Sequence, residues 1–379
     1  MNILVTGSNG FIGRNLMAVI GGREDVCVFP FDVDHPPEDL ERGLRSADLI
    51  FHLAGVNRPK TEEEFLAGNV DLTRQISSGI LALGRSIPIV FSSSVQAALD
   101  NPYGLSKRRA EETLEDYAEE SKAHVVIYRL KNVFGKWCRP DYNSVVATFC
   151  HHIAHDEPIV ISDENREVEL VYIDDVVRSF VQEIEGMQGR KATEYREIVP
   201  VYKVTLGKLA ELIRSFRELR RTLYMPDFGD RFTRILYGTF VSYLDPKDLV
   251  YGLDQKRDPR GSLAEFIKSP SAGQVFASRT RPGVTRGNHY HHTKAEKFLV
   301  VEGEAIIRFK HIRGGPIVEY RVRGEDFRVV DIPPGYTHSI ENVGQCDLVT
   351  LFWADELFDS AQPDTYFMPV LSQDRAAIQ

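Results

Sequence analysis

MNILVTGSNGFIG, residues 1 to 13, is an apolar β-rich run, then a turn holding Gly7, Gly10 and Gly13, then the start of an amphipathic stretch. The spacing has a physical meaning. Gly7 permits a tight turn, Gly10 lets backbone approach a pyrophosphate, Gly13 allows a helix to pack closely on the strand, and the helix N-terminus offers free N–H groups to phosphates. Outward from this turn the same rhythm repeats: NILVT, VCVFPF, DLIFHLAG, IPIVFSSS and HVVIYRL are separated by polar or amphipathic segments up to about Val181. Such alternation predicts βαβ units and a parallel sheet covered on both faces. From about Lys247 the text changes to closely spaced alternating strands such as GEAIIRF, IVEYRV and LVTLFW, divided by Gly and Pro turns. That pattern predicts a small antiparallel barrel or sandwich. The division falls near 245/246, and the stretch from Glu183 to Pro246, with the helical run LGKLAELIRSFREL, is expected to form a cap and a hinge.

Composition sets limits on function. A chain of 379 residues exceeds what one hydrophobic core usually organises, so at least two domains are expected. The formal charge of -9 argues against nucleic acid or an anionic membrane as partner. Cys27, Cys138, Cys150 and Cys346 are scattered without CxxC spacing, and Met1 leads straight into a strand, so the thiols read as reduced and the protein as cytoplasmic. No apolar run approaches the roughly 18 residues needed to span a bilayer.

The next informative motif is SSSVQAALDNPYGLSKRRAEE, where Tyr103 and Lys107 lie four apart and Ser93 or Ser94 ends a buried strand. An (i, i+4) pair shares a helix face. An ammonium beside a phenol favours phenolate, so Tyr103 is expected to exchange a proton with a carbonyl or alcohol near neutral pH, with Ser94 bonding the same oxygen. Alone, such a pair is more often solvated; joined to the glycine turn it becomes a catalytic set.

TGSNGFIG, HLAG (52 to 55), SSS, YGLSK, GNVDL, RLKNVFG and VYIDDV (171 to 176) together resemble the extended short-chain dehydrogenase/reductases that act on nucleotide sugars. The resemblance covers the first two thirds of the chain and implies a Rossmann-type domain. It further implies a nicotinamide cofactor along Gly7, Gly10, Phe11, Ile12, Gly13, Arg14, Asp32, Leu53, Ala54, Asn69, Tyr103 and Lys107. By the same resemblance Ser94, Tyr103 and Lys107 are catalytic, and Arg129, Asn132 and Gly135 lie where the nucleotide sugar is met. Cofactor choice stays open at this level. Asp32 and Asp34 follow the second strand, where an acid bonds a ribose 2'-hydroxyl and favours NADH, whereas Arg14 could hold the 2'-phosphate of NADPH.

In the second region Gly283, His289-x-His291, Glu296 and Gly303, followed by Pro333-x-Gly335-x-x-His338 and Asn342, match the two-part motif of the cupin superfamily, an all-β barrel. His289 and His291, two apart on a strand, point to one face. With Glu296 and His338 they make a donor set suited to Zn2+ or another divalent transition metal. One departure is Gly324, farther from Pro333 than the motif expects, which a longer hairpin would explain. Arg286, His289, Lys297, Asp258, Arg260 and Glu265 are also similar to the dTDP-4-dehydrorhamnose 3,5-epimerases. That similarity makes Arg260, Glu265, Arg286 and Lys297 substrate-binding candidates and His289 a base beside a ketone. A coordinated nitrogen cannot accept a proton, so ligand and base exclude each other in one state. Ligation is the favoured reading, which leaves His292 and Tyr336 as candidates for the base. His151 and His155 have no carboxylate to complete a set and read as helix-surface residues, and His52 reads as packed beside the cofactor.

A nucleotide-sugar reductase fused to an epimerase-like cupin implies a 4-keto sugar as common substrate, since the ketone acidifies C3–H and accepts hydride at C4. The domain order and runs such as HLAGVNRP, GKWCRPDYNSVVATFC and VVDIPPGYTHSIEN resemble the fused reductase–cupin enzymes of capsular polysaccharide synthesis. This resemblance implies C3 epimerisation of UDP-2-acetamido-2,6-dideoxy-β-L-arabino-4-hexulose in the cupin, NADPH reduction at C4, zinc, and a homodimer formed through the cupin. The alternatives are a single-activity reductase whose cupin dimerises and binds metal for stability, and a non-catalytic nicotinamide sensor.

Overall fold

A computed structural model describes residues 1–59, 61, 63–186 and 193–371, which divide into two compact units. Of these described residues, the first unit takes those within 1–214 and 231–244, the second those within 215–230 and 245–371.

The first unit is built on a six-stranded parallel sheet in the order Cys27–Phe31, Asn2–Thr6, Leu49–His52, Ile89–Ser94, Val125–Leu130, Thr193–Arg196. Three of the four inner strands, those beginning at Leu49, Ile89 and Val125, open on apolar runs and are buried almost throughout because both faces are covered, as the β-rich runs predict. One face carries the cluster around Val5, Leu16, Phe51, Tyr128, Val176 and Phe180, the other that around Leu4, Leu44, Ile80, Phe91, Leu114 and Ile127. Each such fully buried side chain contributes roughly 1.5–3 kcal/mol. The chain leaves the first strand to opposite sides for the second and third, so a crevice opens at the carboxyl end of Asn2–Thr6. That is where the glycine turn sits. A three-stranded sheet of Asn132–Phe134, Glu167–Tyr172 and Tyr202–Thr205 completes the unit, with helices that include Val145–Ala154 and Arg231–Val241. The run LGKLAELIRSFREL lies in a helix, Leu206–Thr222.

The second unit has two antiparallel sheets. One holds six strands ordered Gln255–Asp258, Gly261–Ser269, Gly273–Thr280, Leu348–Ala354, Glu296–Glu302, Val329–Ile332. The other holds five, ordered Val318–Arg323, Glu304–His311, Tyr336–Asn342, Thr285–Tyr290, Tyr366–Phe367. Phe298, Leu348 and Phe352 from the first pack with Ala305, Ile307 and Ile340 from the second, which gives the cupin-type core. Gly324 opens a turn, Gly324–Asp326, ahead of strand Val329–Ile332, which accounts for the long spacing to Pro333. A β-bulge interrupts the pairing of Thr285–Tyr290 with Tyr336–Asn342: Gly287 faces Ser339 and His289 faces His338, so Asn288, at φ 60°, is the extra residue.

Candidate functional site

In the first unit a cleft of about 630 Å³ is lined by Gly7, Gly10, Phe11, Ile12, Gly13, Arg14, Asp32, Leu53, Ser94, Tyr103, Lys107 and Asn132. The glycines are sterically required. Gly7 has φ +70° and a Cβ there would lie 2.6 Å from the Ala54 nitrogen; a Cβ on Gly13 would lie 2.1 Å from the Gly7 carbonyl oxygen. Asp32 holds the turn from the second strand, accepting from the Asn9 backbone N–H at 2.7 Å, while the Arg14 guanidinium donates to the Trp137 carbonyl at 2.8 Å. An acid and a cation thus both line the crevice where the two cofactors differ.

The catalytic candidates come from two adjoining elements. Ser94 ends its strand and also receives the Gln96 N–H. Helix Pro102–Ser121 begins beside it because Pro102 fits the first helical position and the Asn101 side chain caps the Gly104 N–H at 2.8 Å. Tyr103 and Lys107 on its first turns therefore face Ser94, whose hydroxyl hydrogen-bonds Tyr103. The expected phenolate is not what this geometry gives. Burial pushes the Tyr103 phenol up to about 12, which the Ser94 bond only partly offsets, and burial lowers Lys107 to about 8. Tyr103 is a proton-bearing phenol at neutral pH, the form that can donate to a carbonyl.

Other predicted residues lie behind the cleft wall. Asn69 is buried in a π-helical turn, Leu66–Asp71, and its amide receives the Val56 N–H at 2.9 Å and donates to Val56 O and to Ser106 Oγ. Gly55, between them, is part of the wall: a Cβ on it would meet Asn69 Oδ1 and Lys107 Nζ. Ala54 and Asn69 thus support the wall without lining it. His52 lies behind the cleft residue Leu53. It is fully buried, bridges Thr6 Oγ1 at 2.8 Å and Thr73 Oγ1 at 2.9 Å, and is held neutral by burial, with a value of about 3. Arg129, the predicted substrate contact, is held by the fold itself. Buried Glu111 binds its guanidinium at 3.0 and 2.6 Å while accepting from Ser93 at 2.5 Å, and the Tyr195 ring covers it. Arg139 and Tyr142, which no sequence motif marks, line the cleft from the loop before helix Val145–Ala154. An irregular loop has no periodicity to reveal them. The His151 and His155 rings meet at a tilt of 47° with centroids 4.3 Å apart, and His152 pairs with Asp141 and Glu157.

In the second unit His289, His291, Glu296 and His338 converge: one donor atom from each lies within 4.8 Å of all the others, and among the described residues this is the group suited to a metal. His291 Nε2 and Glu296 Oε1 are 3.5 Å apart, His338 Nε2 and Glu296 Oε2 3.2 Å. Both Nε2 atoms are buried without a hydrogen-bond partner, which is costly unless another group engages them. The other face of His291 is fixed, since Nδ1 lies 2.5 Å from the Asp364 carbonyl and donates to it, leaving the Nε2 lone pair turned inward. Burial works to raise Glu296, but the His291 and His338 rings facing it hold its carboxyl well below the usual carboxylate range. Burial, with the neighbouring His338 adding to it, lowers His289 to about 4, keeping its imidazole neutral. A neutral His289 imidazole and an ionised Glu296 carboxylate are the protonation states a divalent metal requires of those two ligands.

The proposed bases separate. His292 is exposed and its ring packs on Tyr290 and Tyr366, whereas Tyr336 lines a cavity of about 510 Å³ together with Glu296, Phe309, Tyr320 and Trp353. Lys297 also borders that cavity, with its ammonium on Asp331 at 2.5 Å. Arg260 and Arg286 gather around Asp258, Arg286 donates to Thr280, and Glu265 pairs with Lys268. Among the described residues, these polar contacts of the three predicted substrate residues do not reach the histidine cluster.

The comparisons with known proteins agree with this geometry. The polysaccharide biosynthesis C-terminal domain model matches residues 256–366, and the NAD dependent epimerase/dehydratase family model matches residues 3–195. The chain is 46% identical over 366 residues to the UDP-2-acetamido-2,6-beta-L-arabino-hexul-4-ose reductase of Pseudomonas aeruginosa, covering 97% of this chain and 98% of that one. It superposes on the crystal structure of the capsular polysaccharide assembling protein CapF from Staphylococcus aureus with a TM-score of 0.91 and 46% identity, covering 98% and 100% of the two chains. A UDP-glucuronic acid 4-epimerase from Bacillus cereus in complex with NAD, at 20% identity and a TM-score of 0.51 over 57% of this chain and 84% of its own, shares the fold. With its glycine turn, its serine–tyrosine–lysine set and this breadth of similarity, the chain belongs to the NAD dependent epimerase/dehydratase family.

Proposed function

We propose that this protein converts a UDP-linked 4-keto amino sugar in two steps: inversion at C3 in the cupin and reduction of the C4 carbonyl in the first unit. The observation that carries the reduction is the meeting of Ser94, Tyr103 and Lys107 with the glycine turn in one cleft. The substrate class is supported by the P. aeruginosa relative, named as a UDP-2-acetamido-2,6-beta-L-arabino-hexul-4-ose reductase. The product is then UDP-2-acetamido-2,6-dideoxy-β-L-talose, on the route to UDP-N-acetyl-L-fucosamine for capsule or O-antigen. A reduced nicotinamide cofactor, when bound along the glycine turn, supplies the hydride. Tyr103 gives its phenolic proton to the C4 oxygen, Ser94 holds that oxygen by a hydrogen bond, and the Lys107 ammonium stabilises the phenolate left behind. NADPH is the proposed donor, with Arg14 as the cation for its 2'-phosphate.

His289, His291, Glu296 and His338 are proposed to hold Zn2+, which when bound polarises a carbonyl as a Lewis acid. Tyr336, on the same cavity as Glu296, is then the remaining proton carrier for C3. Dimerisation through the cupin and a cytoplasmic location belong to the same proposal; among the described residues no helix is long and apolar enough to cross a membrane. The test is cofactor oxidation on adding the UDP-4-keto sugar to the protein, with NADPH and NADH in parallel. Oxidation of neither discards the reductase reading.

A further inference from the structure

The segment Pro363–Val370 is far in sequence from the histidine cluster, yet it is bound to the cluster's strand along its whole length. Tyr366 and Phe367 pair with Tyr290 and His289; the Met368 and Val370 N–H groups reach the main-chain and side-chain oxygens of Asn288; and Thr337, next to His338, bonds Met368 O. The densest contacts are those of Asp364. Its carbonyl accepts from His291 Nδ1 at 2.5 Å. Its carboxylate accepts from the backbone N–H groups of His292, Thr293 and Lys294 at 2.9, 3.0 and 3.2 Å and from the Thr293 hydroxyl at 3.0 Å. Lys294, itself buried, reaches Pro363 O at 3.4 Å. Asp364 takes φ 33° to make both sets of contacts at once.

From this geometry we infer that Asp364 is the positioning residue of the metal centre: through its carboxylate it locks the turn 292–294 between two ligands, His291 and Glu296, and through its carbonyl it sets the tautomer and tilt of the His291 ring. Both actions fall on the same ligand. A carboxylate taking three consecutive N–H groups fixes the backbone directions at which His291 leaves its strand and Glu296 enters the next. An imidazole whose Nδ1–H is held on a carbonyl presents Nε2 as a lone pair in one direction only. If the carboxylate is removed, the carbonyl loses its anchor as well, and His291 Nε2 must be ordered by the incoming metal at the expense of affinity. The side chain touches no reacting atom, so its effect is felt in affinity before it is felt in chemistry.

The inference rests on the metal reading given above, and the test separates the two. Full-length wild type, Asp364→Ala and Asp364→Asn are titrated with Zn2+ against a chromophoric chelator, with far-UV circular dichroism recorded on each metal-free protein. Wild type is expected to compete with the chelator at one metal per chain, Asp364→Ala to bind about 10–100-fold more weakly with unchanged dichroism, and Asp364→Asn, which keeps an acceptor but not the charge, to fall between. Wild type that takes up no Zn2+ removes the metal reading and the inference with it. Wild type that binds while Asp364→Ala binds equally well removes only the role of Asp364. Should Asp364→Ala fail to fold, Asp364→Asn decides: wild-type affinity there overturns the inference, and weakened affinity upholds it.

Discussion

Replacing Tyr103 by Phe removes one oxygen from a side chain that is otherwise apolar and packed, its ring lying 5.8 Å from that of Phe65. The structural cost is small. The Ser94 hydroxyl keeps its bond to the Gln96 N–H, so a single hydrogen bond is lost, about 1 kcal/mol of stability. The catalytic cost is large, because the phenol is the proton source and burial, in holding it near 12, keeps it fully protonated at the pH of the assay. Loss of a positioned general acid costs roughly 10²–10⁴ in rate, or about 3–5 kcal/mol of barrier. We expect kcat for cofactor oxidation to fall by that factor while KM for the sugar stays within a few-fold. Proton exchange at C3, measured without cofactor, is expected to be unchanged, because the cupin cluster is built from other residues. A Tyr103→Phe protein reducing the ketone within threefold of wild type would refute the assignment of the acid.

Three further outcomes follow from the same geometry. Lys107, lowered by burial to about 8, carries its charge below that pH and loses it above, so the saturated reduction rate should decline as pH rises through about 8; a rate that climbs across that interval contradicts the role of the ammonium. Gly13→Ala forces a methyl to within 2.1 Å of the Gly7 carbonyl, which should cost roughly 1–3 kcal/mol by overpacking and weaken cofactor binding at least about tenfold, both read by calorimetry. Glu111→Ala strands Ser93 and Arg129; since Arg129 is 37% exposed, the loss in urea unfolding should lie near the low end of the buried-pair range, about 3 kcal/mol.

Much of this was legible in the residues because it depends on local spacing. Gly7 and Gly13 stand where only glycine fits, Tyr103 and Lys107 share a helix face, and His289 and His291, two apart at the end of a strand, turn to one cluster. Local spacing does not say what arrives from a distance. Glu111 meets Arg129 because the fold places two separated elements side by side. The phenolate expectation weighed the Lys107 charge but not burial, which suppresses both charges. Asn69 keeps its place behind the wall through a π-helical turn that no apolar period announces. Asp364, with no pattern around it, becomes meaningful only once its strap is seen lying on His291.

The central claim, that one C4 ketone serves both units, is tested most directly by incubating the UDP-4-keto sugar with the metal-replete protein in deuterated water without cofactor and reading C3 by NMR. The account predicts deuterium at C3 before any reduction, and a singly reduced, C3-deuterated product once NADPH is added. A substrate that is reduced by NADPH yet never takes up deuterium at C3 would contradict it.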